Sequence, residues 1–321
     1  MNYLFISISL LLLLFKTTNT YGQNFPSKPI RLIVPFTAGG TVDGVARMLQ
    51  HSLTDIFSQP VIVDNRPGAG GRIGTDMVAK SAPDGYTVAV VFDNYPIDPI
   101  IYKEMPYDAW KDLIPVTLVV RAPLIAVASK LLPADDITSL VKFTKANPSK
   151  VTFGTIGVGS PNHLAGELFS QVAGLSMIHV PYKGGSLAQA DLYGGNLMLY
   201  WATPYFAKTA MPTGKVKLLG QAGQVRSPAF PDIKTLPEQG YPSIEIYGWV
   251  GILAPAGTPH TVISRWQLEV AKAAHTKSIA EKLQDQGFEI TTSTPQEFGR
   301  YLRAENLKWT ELIKKAKIPL E

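Results

Sequence analysis

Three short stretches carry residues whose types and spacing suit chemistry: "PFTAGGTVD" (35–43), "VFDNYP" (91–96) and "GTIGVGSPNHL" (154–164). Each closes an apolar, β-branched run, and in open α/β sheets ligands bind beyond the carboxyl ends of the strands. The first and third share one design. Their glycines let the backbone approach a ligand closely, and the helix that follows points its free N–H groups and positive dipole end at it. Neither loop contains Lys or Arg, so the anion they suit is one held by main-chain donors. A carboxylate would gain about 0.3–1 kcal/mol from the dipole, up to about 2 kcal/mol when partly buried, and about 1.5–3 kcal/mol per hydrogen bond to the charged group. Two such loops from two domains would grip one carboxylate from opposite sides. The alternative is that Gly-Gly and Gly-x-Gly only make tight βα turns.

Other chemistries are poorly provided for. No G-x-x-x-x-G-K-[ST] phosphate loop occurs, and "GAGGRIG" (68–74) is one residue off the dinucleotide fingerprint, so it reads as a turn whose glycines let the chain enter a helix. His163 and Glu167 stand at helical i, i+4 spacing but lack a third metal ligand nearby. His179 lies in the strand-like "MIHVPY", where a hydrogen-bonded, half-buried histidine is ordinary. Ser160 has no nucleophile elbow around it. Asp43 and Asp93 have the chemistry of an acid and a base, yet Asp43 also sits where a helix N-terminus favours a carboxylate. No competent catalytic set, metal site or cofactor site is expected.

The elements that must position these loops follow from length and pattern. The chain has 321 residues, 45% hydrophobic and 17% charged, which suits two ordinary globular domains. Short β-branched runs alternate with longer amphipathic ones in the manner of a doubly wound α/β protein: strand 30–36, helix 43–57, strand 60–65, helix 74–82 and strand 86–92. A second series begins after the proline crossing at Ala122 and Pro123, with "LIAVAS", "KVTFGT", "MIHVPY", "LMLYWA" and "VKLLGQA" as strands. "YGWVGILAP" then gives a strand, and the terminal helices, having no strands of their own, should pack back on the first sheet. This makes the domains 23–122 with 248–321, and 123–247, with two chain crossings as a hinge.

Residues 4–15, "LFISISLLLLLF", are too short for the roughly 20 residues of a membrane span and read as the core of a signal peptide over residues 1–22. The absence of cysteine excludes disulfides, thiolate metal sites and a Cys nucleophile; an exported chain of this kind suits the bacterial periplasm. Loss of the leader removes only Lys16 from a net charge of +5, and the remainder is too diffuse for nucleic-acid binding.

With these loops in place, the chain resembles the tripartite tricarboxylate transporter substrate-binding proteins, the Bug family of periplasmic receptors. The likeness runs from "FPSKPIRLIVPFTAGGTVDGVAR" through "VIVDNRPGAGGRIGTDMVAKSAPDGYT" and "NPSKVTFGTIGVGSPNHLAGELF" to "HVPYKGG" and "GWVGILAPAGTP". It implies an α/β, two-domain periplasmic-binding-protein-like fold of type II, a Venus flytrap with a mixed sheet flanked by helices in each domain. It also implies a small-carboxylate ligand, membrane permease subunits or a sensor as partner, and a monomer. On this chain the resemblance implies one clamp loop of Phe36, Thr37, Ala38, Gly39, Gly40 and Thr41, with Asp43 entering the helix. The second clamp loop is Thr155, Gly157, Gly159, Ser160, Pro161 and Asn162, with His163 beginning its helix.

Two stretches depart from the family pattern. "LYWATPYF" places Trp201, Ala202, Thr203 and Pro204 where members often carry an Asp-Asn pair, and "FDNYP" stands where small hydroxylated residues are usual. The expectation is that Asp93, Asn94 and Tyr95 face Trp201 across the cleft. An aromatic or amine-bearing carboxylate would suit such a subsite, and a second ligand carboxylate would be repelled by Asp93. The opposite expectation is that Trp201 packs into the core and Asp93 caps a turn. The competing functions are a periplasmic hydrolase or isomerase using Asp93 and His163, and a purely structural envelope protein.

Overall fold

The computed structural model describes residues 25–182 and 185–320. The leader read at residues 1–22 lies outside the described residues, as do Lys183 and Gly184. The first unit opens with strand β1 (Ile30–Val34), helix α1 (Thr41–Phe57), strand β2 (Val61–Asn65), helix α2 (Arg72–Ala79), strand β3 (Thr87–Phe92) and the short helix α3 (Asp98–Ile101). Helix α1 buries Val42, Val45, Ala46, Leu49, Leu53 and Phe57, the i, i+3, i+4 spacing that turns one stripe to a core. Strand β1 is paired in parallel on both sides, which is why, Arg31 apart, it is apolar throughout.

Strand β4 (Leu113–Pro123) ends one residue before strand β5 (Ile125–Ser129), and the chain changes sheet at Leu124. The second unit continues with helix α4 (Ile137–Ala146), strand β6 (Thr152–Thr155), helix α5 (Pro161–Ala173), strand β7 (Ile178–Pro181), helix α6 (Gly185–Gly194), strand β8 (Leu199–Ala202), helix α7 (Pro204–Ala210) and strand β9 (Val216–Gln221). Strand β10 (Tyr247–Pro255) returns to the first sheet, followed by helix α8 (His260–His275), helix α9 (Lys277–Asp285), strand β11 (Glu289–Ile290) and helix α10 (Pro295–Ala316).

The sheets have the orders β11-β4-β10-β3-β1-β2 and β7-β6-β8-β5-β9. Both are mixed, since β10 runs antiparallel to β3 and β4, and β5 antiparallel to β8 and β9. The two crossing points are bonded to one another: Leu124 N–H donates to Ile246 O at 3.0 Å, Ile246 N–H to Ala222 O at 2.9 Å, and Ala222 N–H to Leu124 O at 2.8 Å.

Two features differ from the reading of the sequence. Strand β4, next to the edge strand β11 in the first sheet, was not among the expected strands because Pro115 and Pro123 break its pattern. The sheet tolerates Pro115 because the β4–β10 register shifts between Ile252 and Leu253, its partner. The last helix does not pack on the first sheet alone. Phe298 and Leu302 belong to the first domain's core, whereas Trp309, Leu312 and Ile313 are buried in the second domain's. Its stripe therefore makes a third connection between the domains.

Candidate ligand cleft

Between the domains lies a cavity of about 230 Å³. One wall is the loop from Ile156 to Asn162, and the other is formed by Phe36, Gly70, Phe92, Asp93, Asn94, Asp98 and Tyr102; Leu124 and Thr203 complete it. No Lys or Arg is among the described residues lining it.

The two glycine loops are held by the same device. Gly39 donates its N–H to Asp43 Oδ2 at 2.9 Å, and Gly159 donates its N–H to His163 Nδ1 at 3.1 Å, in each case to an acceptor four residues on. Asp43 also accepts from Arg47 and from the Asn65 amide. Burial pushes the Asp43 carboxyl up, but these donors outweigh it and hold it below the usual range. Asp43 and His163 are both buried and brace the loops from behind. They are not cleft-lining residues, which corrects their place among the ligand contacts. Helix α1 starts at Gly40 and helix α5 at Ser160 without a side-chain cap, whereas Asp136, Thr203 and Thr294 cap theirs. The Ser160 hydroxyl donates instead to Gly157 O at 2.7 Å. Both helix starts thus keep main-chain donors for an anion.

Of the other expected residues, Phe36, Asp93, Asn94, Gly157, Gly159, Ser160, Pro161, Asn162 and Thr203 come together around the cavity. Thr37, Ala38 and Gly39 are exposed, Gly40 and Thr41 half-buried, and none of the five lines it. Thr155 is buried beneath the loop, with Oγ1 2.6 Å from His179 Nε2.

Trp201 does not face Asp93 across the cleft. Strand β8 is covered on both sides, and the Trp201 ring packs edge-on to Phe169 at 5.4 Å inside the second core. Ala202 is buried with it. Tyr95 is likewise withdrawn: it lies in the first core, donates its O–H to Ala109 O and packs edge-on to Trp110. The aromatic surface comes from Phe36, Phe92 and Tyr102 instead. Gly70, Asp98 and Tyr102 were missed, although Asp98 follows Asn94 by one helical turn and accepts its amide N–H at 2.9 Å.

The acidic end of the cavity lies at the hinge. A methyl group built on Gly248 would come 3.3 Å from Asp93 Oδ2 and 3.8 Å from Thr203 Cγ2. Burial pushes the Asp93 carboxyl well above the usual range and Glu305 raises it further, against the Asn94 N–H. Burial pushes Asp98 up to about 8 although Arg72 draws it down. The expected repulsion of a second carboxylate depends on an ionised Asp93, the form that burial here disfavours.

Behind the second loop the His163 and His179 rings stack at 3.8 Å. Burial, with His163 adding to it, lowers His179 to about 4, so the folded state keeps that ring neutral while the unfolded chain protonates it below about pH 6.5. Stability linked to His179 is therefore complete above pH 6.5 and lost as the pH falls from 6.5 towards 4. Urea unfolding between pH 7.5 and 4.5 should show this fall, and His179→Gln should flatten it; an unchanged slope would contradict the assignment.

Two α/β domains, three connections and a cavity between them, walled on one side by the glycine loop 156–162 and on the other by Phe36, Gly70 and the 92–102 segment, define a two-domain solute-trapping receptor. The chain belongs to the tripartite tricarboxylate transporter receptor family, whose family model (TctC: Tripartite tricarboxylate transporter family receptor) matches residues 45–318. It is 34% identical over 294 residues to protein BugT of Bordetella pertussis, covering 91% of this chain and 90% of that protein. Among solved structures it resembles periplasmic binding protein BugD, with 31% identity, a TM-score of 0.81 and coverage of 92% and 100%. It also resembles R. palustris Rpa4515 with adipate, with 30% identity, a TM-score of 0.85 and coverage of 93% and 100%. The family and fold class expected from the sequence both hold.

Proposed function

We propose that this receptor captures a small carboxylate by closing its two domains and delivers it, as a monomer in the periplasm, to the membrane subunits of a tripartite transporter or to a sensor. The observation that carries this reading is a cavity between the two domains, without a cationic side chain, walled on one side by the braced loop 156–162 that opens on the uncapped start of helix α5. A ligand touching both walls stabilises the closed population by its differential affinity. The adipate held by the R. palustris relative supports a ligand with a carboxylate head and an apolar body, which Phe36, Phe92 and Tyr102 would flank.

Against a hydrolase or isomerase stands the position of His163, buried behind the loop with Nδ1 engaged by Gly159 and away from Asp93. A thermal-shift screen of refolded protein against mono-, di- and amino carboxylates tests the reading. A rise in melting temperature with ligand recovered unchanged is expected; consumption of the ligand would overturn it, as would no rise with any carboxylate.

A further inference from the structure

We propose that His163 positions the cavity-lining loop 156–162 only while its Nδ1 is unprotonated, so that the receptor holds its ligand at neutral pH and releases it on mild acidification. This rests on the receptor reading above and adds a condition for release.

Gly157, Gly159, Ser160 and Asn162 help to form one wall of the cavity. Gly157 and Gly159 have φ of +134° and +72°, a path held by tethers and not by a strand or helix. One tether is the buried bond from the Gly159 N–H to His163 Nδ1, at 3.1 Å. A main-chain donor needs a lone pair at that nitrogen, so the single proton of the neutral ring lies on Nε2. A second proton would go to Nδ1 and face the Gly159 N–H donor to donor. The bond would be lost and two buried donors left unpaired. The braced loop therefore binds one proton fewer than the released loop. Its stability is complete at higher pH and is lost as the pH falls through the range near 6.5 where imidazoles take up a proton.

The groups facing the ring agree with this direction. Glu167, one turn along helix α5, has Oε1 3.6 Å from Nε2, too far for a hydrogen bond but near enough to favour an imidazolium once it forms. From strand β7 His179 stacks on the ring at 3.8 Å. Burial and His163 itself bring His179 down to about 4, so it stays neutral through this range. Strand β6 supplies Phe153, stacked at 6.2 Å, and helix α10 brings Trp309, Leu312 and Ile313 to the same core. Ile101 of helix α3 packs against Gly159. The matching brace at Gly39 ends on the Asp43 carboxylate, which its donors hold below the usual range. Of the two braces, only the one on the cavity wall is sensitive to mild acid.

Nitrogen NMR of the histidines tests this without a ligand. At pH 7.5 His163 should be the Nε2–H tautomer, and protonation of Nδ1 should coincide with loss of the Gly159 amide's protection from hydrogen exchange. An Nδ1–H tautomer at pH 7.5, or protection that outlasts Nδ1 protonation, would overturn the proposal. Titrations with adipate and benzoate at pH 7.5 and 5.5 read the consequence for binding, with the folding of each variant checked by its melting curve. His163→Ala, which has no acceptor, should bind about three- to tenfold more weakly at pH 7.5. His163→Asn offers an amide oxygen that takes up no proton in this range. It should restore most of that loss and, at pH 5.5, bind more tightly than the unaltered protein by a similar factor. The probe's own titration is common to all three proteins and cancels in their ratios. Equal pH dependence in the unaltered protein and His163→Asn would overturn the proposal and leave the receptor reading intact. Binding of neither probe would count against the receptor reading, and the NMR titration would still decide the role of His163.

Discussion

Replacing Trp309 with alanine should destabilise the protein by about 3–5 kcal/mol, the range for removing a large buried aromatic side chain. Trp309 is 3% exposed and sits with Leu312 and Ile313 in the second domain's core, although its helix begins under the first sheet. Its Nε1–H donates to Glu305 Oε2 at 2.9 Å, and Lys308 Nζ donates to Glu245 O at 3.0 Å, beside the chain's return crossing. The substitution therefore removes packing from the second domain's core and the hydrogen bond that ties the indole to Glu305 on the same helix. Calorimetric unfolding should show a lower first transition separated from the second, since coupled domains no longer melt together. Trp309→Phe, which keeps most of the apolar volume, should recover much of the loss. A change below about 1 kcal/mol would show that the helix end is not part of the second core.

The second large effect is on closure. Gly159 has φ +72°, and a methyl group built there would lie 2.8 Å from Cδ1 and Cγ1 of Ile101. Gly159 lies in the loop after strand β6, and Ile101 lies on helix α3, which the first unit's chain supplies and whose Ile97 and Ile101 pack into the second domain's core, so a side chain at 159 wedges that loop from the segment of the first unit docked against it. Ile101 is 1% exposed and has no space to retreat into. Overpacking of this kind opposes the closed state by about 1–3 kcal/mol, which corresponds to roughly 5–150-fold weaker binding. Gly159→Val should show that loss for any ligand the protein accepts, with a more open scattering profile at saturation. Pairing it with Ile101→Ala should restore part of the affinity, because the two changes share one contact. Additive losses in the double variant would show that the contact does not govern closure.

Much of this was legible in the sequence. The βα alternation gave the strands around both loops, because parallel strands buried on two faces read as unbroken apolar runs. The same property hid Trp201: "LYWA" is buried throughout, so no alternation tells which way the indole points. The strand 113–123 escaped because its Pro115 is accommodated by a register shift in its partner, a tertiary effect. The two-domain reach of the last helix escaped because one amphipathic stripe serves two cores. At the cleft, the glycines announced the loops and the acids announced themselves. That Asp43 and His163 brace the loops turns on the side-chain direction of a residue four positions on, and that the walls bury Asp93 and Asp98 depends on contacts across tens of residues.

The strand order of the first sheet governs how the molecule is assembled from a chain delivered N-terminus first, whether from a ribosome or through a membrane pore. Residues 247–255 lie between strands 87–92 and 113–123, so the early strands wait, with one ladder unpaired, until that segment emerges. The second sheet needs only residues 125–221 and closes first. For most of delivery the opening strands therefore present a bare edge, which keeps the leading half threadable and gives a chaperone its natural place to hold.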